Sequence, residues 1–325
     1  MTFRLRTVIT LLILASGVGM YSQSAADALK LRGLELLDRG ENDSAMVYLS
    51  RALLDAPDDA DILGGLAMVY INMGDAQRAV DFAVKGVKDR LNPSSDAYLA
   101  GVLGYEKLGN VRLRNKWLDE GLEVFPSDYL LLYHAGRINI PFDKEKGEKY
   151  LLRSIYAYPA FAPAHLLLGE NMYRRGENLK AVVPLIYYLF LNHNELNSAD
   201  IVASIERLYS SWSASTQSIS KVSNASKGFT TDFRPEEFKG KQDEKGQWFV
   251  NQTIGLIKSM ETANVASSDG LWLFYSDFFS HVSILGFSQP LAYHISYSRY
   301  PGDSMVWINE NTELYQMLAD WLLLL

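Results

Sequence analysis

The sequence predicts an all-α fold, a stack of about five helix pairs followed by a C-terminal helical module. Three observations predict it. Small residues, glycines and prolines recur in a fixed order at intervals of about 34 residues between Ser24 and Asn194. Within the units, apolar residues keep the three-and-four spacing of a helix face, as in Leu49, Ala52, Leu53 and Ala56, or Leu118, Leu122 and Phe125. Beyond Asn194 the repeat is lost, but Leu271, Tyr275, Phe278, Val282 and Leu285 keep the helical spacing with a far more aromatic composition.

The first unit runs from Leu31 to Asp58 through Gly33, Leu36, Gly40, Ala45, Leu49, Ala52 and Pro57. The second reads Ala67, Tyr70, Gly74, Ala79 and Ala83, with Gly86 small again and the proline delayed to Pro93. The third reads Gly101, Tyr105, Gly109, Leu118, Gly121 and Pro126. A fourth, Ser127 to Ala160, carries Ala135, Ile138, Gly147, Leu151, Ser154 and Pro159 but lacks the turn glycine, which predicts a local distortion. The fifth, from Ala162, restores the order with Leu168, Gly169, Met172, Gly176, Ala181 and Leu185, and places His193 where the proline would stand. Gly40, Gly74, Gly109 and Gly176 fall where one helix must stop and reverse, which favours a left-handed residue. Small residues such as Ala45, Ala79, Gly147 and Ala181 let the two helices of a pair approach closely. The prolines block continuation of the second helix.

These residues, in this order, resemble the tetratricopeptide repeat. The resemblance implies a right-handed α-solenoid whose concave face is lined by the first helix of each pair and holds a partner protein or peptide. It implies partner-binding groove positions at Lys30, Leu34, Met68, Ile71, Asn72, Leu99, Leu103, Glu106, Tyr129, Leu132, Asn139, Leu166, Glu170, Tyr173 and Arg174. Asp27, Asp61 and Asp96 occupy positions of the same kind. Aliphatic and aromatic side chains interspersed with acids suit an amphipathic helix or extended peptide carrying positive charge. The acids would repel a C-terminal carboxylate, so the carboxylate-clamp type of repeat is disfavoured.

Past the repeats, Ile201, Ile205, Leu208 and Trp212 mark one face of a capping helix, and Ser213 to Gly246 reads as a polar linker punctuated by Phe229, Phe233 and Phe238. The organisation expected is a signal peptide over 1–24, a solenoid over 25–194, a cap and linker over 195–246, and an aromatic helical module over 247–325. In that module Gly286 ends one helix, another begins near Pro290, and Asp303 or Ser304 caps a last helix that turns Ile308, Leu314, Leu318 and Trp321 to one side.

Arg4 and Arg6, the apolar run Val8 to Met20 and the small residues that follow have the layout of a secretory signal peptide. With no cysteine, the chain can be neither a lipoprotein nor a disulfide scaffold, and a bacterial periplasm is the expected compartment. An uncleaved signal would instead anchor the chain in the membrane as an envelope assembly factor. The net charge of -7 and the lack of a basic run exclude a nucleic-acid partner. The sequence holds no H-E-x-x-H pair, no G-x-S-x-G elbow and no phosphate- or dinucleotide-binding glycine loop. The expectation is a non-enzymatic envelope scaffold with no metal and no small-molecule cofactor. The competing reading is a hydrolase or transferase whose catalytic domain is the C-terminal module.

Overall fold

The structure is a computed structural model, and it describes residues 25–89, 91–217 and 229–323. The expected signal segment lies outside the described residues. The chain forms two compact units that divide between Leu131 and Leu132.

The first unit holds α1 (25–38), α2 (Asn42–Asp55), α3 (Ala60–Asn72), α4 (Ala76–Gly86), α5 (Ser95–Lys107), α6 (Val111–Val124) and the first turn of α7 (Tyr129–Asn139). Helices pair in sequence as α1/α2, α3/α4 and α5/α6. Each pair reverses at the predicted glycine, with φ of 74°, 85° and 72° at Gly40, Gly74 and Gly109. Each reversal is closed by the same two backbone bonds: Gly74 donates to the Ile71 carbonyl (3.1 Å) and Asp75 to that of Tyr70 (2.9 Å). In the second and third pairs the residue after the glycine then caps the next helix, Asp75 accepting from the Arg78 N–H and Asn110 from that of Leu113. Adjacent residues thus end one helix and start the next, so the connection needs no loop. Between helices, Ala45, Leu49 and Ala52 of α2 interlock with Leu36, Ile62, Leu66 and Val69. In the third pair the Trp117 ring lies against Gly101, where a Cβ would collide with it.

The second unit takes up the rest of α7, then α8 (Lys144–Ala157), α9 (Ala162–Arg175), α10 (Asn178–Leu191) and α11 (Ser198–Gln217). The turn from α7 to α8, the one without glycine, contains no left-handed residue; Ile140 and Asp143 donate to the carbonyls of Gly136 and Asn139, and Asp143 caps α8 through the Lys146 N–H. α9 ends at Gly176 (φ 72°) like the helices of the first unit. α10 is buried at every residue from Leu179 to Phe190, including Pro184 inside the helix.

After α11 the described chain resumes at β1 (Phe229–Thr230), which pairs antiparallel with β2 (Asn264–Val265). Five further helices follow: α12 (Lys245–Ser259), which the sequence reading does not place, α13 (Leu273–Ile284) and α14 (Ser288–Ser296), which it does, then α15 (Pro301–Glu310) and α16 (Thr312–Leu322) where it predicts one final helix. The break falls at Asn311, whose φ of -126° and ψ of 37° leave the helical region. The strand pair is also absent from the sequence reading. Phe229, which that reading left in a linker, is fully buried and stacks on Trp272 at 5.9 Å. Glu236 and Glu237 lie in irregular chain. One hydrophobic core joins α8–α11 with α12–α14.

Candidate functional site

In the first unit the first helices of successive pairs are neighbours, and their N-terminal ends carry a row of acids. Asp61 is the second residue of α3, Asp96 the second of α5, and Asp128 immediately precedes α7, where its carboxylate accepts from the Leu131 N–H (2.9 Å). The carboxyl of Asp96 is pushed up to about 6 by burial, with Asp128, Asp38 and Asp61 adding to the effect. It has no hydrogen-bond or ion-pair partner among the described residues. By contrast Asp59, the cap of α3, is held below the usual carboxylate range: burial opposes ionisation, but the Lys30 ammonium at 2.8 Å and the N–H groups of Ile62 and Asp61 outweigh it. Lys30 is itself raised by this bond. The repeats therefore neutralise one acid at this edge and leave Asp96 uncompensated.

The remaining groove positions of this unit separate by burial. Ile71 and Leu99 are buried between helices, where Ile71 reaches the close contact at Gly104. Leu34, Met68, Leu103, Glu106 and Tyr129 are half-buried, Leu34 against Gly65 and Glu106 within 3.8 Å of Arg114. Asn72 is exposed and donates to the Asn42 side chain (2.8 Å).

Of the positions in the second unit, Leu132 is buried, Leu166 is half-buried against the core, and Asn139 donates to the Ala135 carbonyl of its own helix. Tyr173 is 46% exposed. Glu170 and Arg174 are within 3.6 Å of each other.

The second unit also buries polar groups that the sequence reading missed. Glu148 of α8 accepts from Arg175 (2.6 Å) and from the Trp272 indole N–H (2.8 Å), while Lys180 lies 3.6 Å from the same carboxylate and 5.1 Å above the Trp272 ring. Glu206 of α11 is ligated by Lys245 (2.9 Å), Arg299 (3.0 Å) and the Tyr300 hydroxyl. His165 stacks on Tyr187; its Nε2–H donates to the Pro159 carbonyl, so its Nδ1 accepts from the Tyr275 hydroxyl. Burial pushes His165 down to about 3. His294 is likewise pushed down to about 3, by burial and by His193, whose ring centroid is 3.9 Å away. His281, on the neighbouring helix α13, bonds the Asp277 carbonyl of its own helix and is exposed. Among the described residues no group of three or more His, Asp or Glu side chains is arranged to hold a metal ion.

Residues 36–100 match the family model of the tetratricopeptide repeat. Residues 36–100 therefore carry tetratricopeptide repeats, and the fold is of the tetratricopeptide type. Its structure is similar to that of PilF from Pseudomonas aeruginosa, at 19% identity and a TM-score of 0.50 over 61% of this chain and 89% of that one. It is similar also to a thermophilic tetratricopeptide protein of Thermus thermophilus, TTC0263, at 18% identity and a TM-score of 0.47 over 57% of this chain and 98% of that one. A chain of the Cut9–Hcn1 hetero-tetramer of the APC/C aligns at 19% identity and a TM-score of 0.48, over 57% of this chain but 36% of its own length. At these identities the likeness is one of fold. Comparison with curated protein sequences finds no match. The tetratricopeptide repeats make the chain a candidate protein-interaction scaffold.

Proposed function

We propose that this protein is a non-enzymatic scaffold of the bacterial cell envelope whose first unit holds a positively charged segment of a partner protein. The observation that carries the reading is the acidic row at the N-terminal ends of α3, α5 and α7. An ionised Asp96 there is disfavoured by burial and by its neighbours, and nothing among the described residues compensates it. A partner's lysine or arginine placed at that edge would relieve the repulsion, so the interaction gains from a cost the free protein already bears. The half-buried Leu34, Met68, Leu103 and Tyr129 supply apolar surface beside it.

The envelope location rests on the sequence of residues 1–24. Among the described residues no helix is long and apolar enough to cross a membrane. N-terminal sequencing of the protein from soluble and membrane fractions tests it: a mature end between about Ser22 and Ala26 supports export into the periplasm, an intact Met1 in the membrane fraction replaces that with a membrane-anchored chain, and an intact Met1 confined to the soluble fraction sinks the envelope location.

The binding claim is tested by crosslinking and pull-down with the full chain and with the double variant Asp61→Asn/Asp96→Asn. The variant is expected to lose about tenfold or more of the recovered partner, and the wild-type chain to lose a comparable amount as pH falls below 6, because protonation of Asp96 removes the charge the partner reads. Undiminished recovery in both arms would remove the acidic edge from the interaction.

A further inference from the structure

The second unit contains a cleft of about 850 Å³ that none of the repeat positions touches, bounded by the irregular chain at 236–240, the start of α12, Tyr293 of α14 and the length of α15. Its volume is within the range of ligand pockets. Three features of its wall act together.

The floor is aromatic. Trp248 and Phe238 form one side, with ring centroids 5.5 Å apart, and Tyr293 stacks on Trp307 at 4.6 Å and 9° on the other. The rim is acidic. Glu236, Asp243, Glu244, Asp303 and Glu310 line the cleft, and among the described residues the one cation lining it is Lys239, which is within 3.4 Å of Glu237. Asp243, Asp303 and Glu310 are exposed and have no basic partner among the described residues. Glu310 stands in the last turn of α15, where the helix itself adds negative potential. The third feature is a donor. Gln252 is 6% exposed and lines the cleft; its carbonyl accepts from the Glu236 N–H (2.8 Å), which leaves its two amide N–H groups without a partner among the described residues. The side chain is thus almost wholly held by the protein while its amide nitrogen stays open to donate to a partner in the cleft.

Unused donors beside an acidic rim do not suit a bare cation, which brings no acceptor. We infer that the cleft is a second binding site, and that it takes a short basic peptide segment. The segment's lysine or arginine side chains pair with Asp303, Asp243 and Glu310, an apolar side chain enters between Trp248 and Trp307, and a main-chain carbonyl accepts from Gln252. The site is independent of the acidic edge in the first unit, and it supplies the recognition role that the aromatic module's composition leaves unexplained.

The test is calorimetric titration of the full chain with acetylated, amidated pentapeptides of two arginines and three leucines, the same peptides with glutamate for arginine, and n-butylguanidine as a cation without a peptide backbone. The basic peptide is expected to bind and the acidic one not to. Asp303→Asn/Glu310→Gln, both exposed and checked for unchanged melting temperature, is expected to weaken binding about tenfold and flatten its salt dependence. Gln252→Glu keeps the acceptor for the Glu236 N–H, adds a negative charge and removes the donors. It is expected to weaken the peptide despite the added charge, and a gain in affinity overturns the peptide reading. Equal binding of n-butylguanidine and the basic peptide overturns it too, as does binding indifferent to the Asp303/Glu310 pair. Asp61→Asn/Asp96→Asn is expected to leave this titration unchanged, so loss of the first-unit interaction and loss of this one are read separately.

Discussion

Single residues in this protein do two opposite kinds of electrostatic work. In the second unit Glu148 is one carboxylate shared by Arg175, Lys180 and the Trp272 indole, all from different segments of the chain. Its removal does more than delete an attraction. It leaves a buried ammonium, on a side chain 6% exposed, with one carboxylate fewer beside it, and Glu177 at 3.7 Å is already engaged by Arg175. Breaking a buried pair from one side costs about 3–5 kcal/mol, whereas replacing charge by apolar volume on both sides is often near neutral. Glu148→Ala is therefore expected to lower stability by about 3–5 kcal/mol, and Glu148→Leu/Lys180→Met by clearly less, as read from urea unfolding followed by tryptophan fluorescence. An equal loss in both would mean that packing of the α8 face, and not the charge, sets the cost. Asp96 is the converse case, a carboxylate left without a counterion, and that is why it and not Glu148 is placed in a binding role.

At the scale of elements, the repeats were legible because their turns are local. Gly40, Gly74, Gly109 and Gly176 each close a reversal with their own helix ends, so their identity and spacing suffice to place them. The turn from α7 to α8 shows the same logic by exception, since without a glycine it uses Pro141, Phe142 and the cap Asp143 and never enters the left-handed region. Gly176→Ala is accordingly expected to cost about 1–2 kcal/mol in thermal or urea unfolding, and Phe142→Ala, at an exposed tip, close to nothing. Comparable losses at the two would show that the turns are held by packing and not by backbone conformation. What the sequence hid is non-local. The β1–β2 pair joins residues 229–230 to 264–265 with two residues a side, too short for any alternation to register. The cleft needs chain from 236 and from 310 at once, and Gln252 reads in sequence as one more polar residue on a helix.

At the scale of the whole chain, the groups shifted furthest between pH 7 and pH 5, His165 and His294 in the second unit and Asp96 in the first, pull stability in opposite directions with pH. His165 and His294 are neutral when folded and held near 3, against an ordinary value of 6.5 in the unfolded chain. Their contribution is complete above 6.5 and is lost as pH falls towards 3, because the unfolded state then binds protons the folded state refuses. His193, lowered by burial beside His294, acts in the same sense. Asp96 has the opposite sign. Its folded value near 6 lies above the ordinary 3.8, so protonation favours the folded first unit as pH falls through 6. Between pH 7 and pH 5 the second unit is expected to lose about 2 kcal/mol per buried histidine, and the first to gain about 1 kcal/mol. Hydrogen exchange at the two pH values, corrected for the intrinsic rate, resolves them. Protection across α9, α10 and α14 should fall while that across α3 and α5 holds or rises. His165→Phe should remove part of the fall, and Asp96→Asn should remove the rise. A uniform change across both units in the wild-type chain would show instead that acid acts through net charge, with the buried histidines and Asp96 as bystanders.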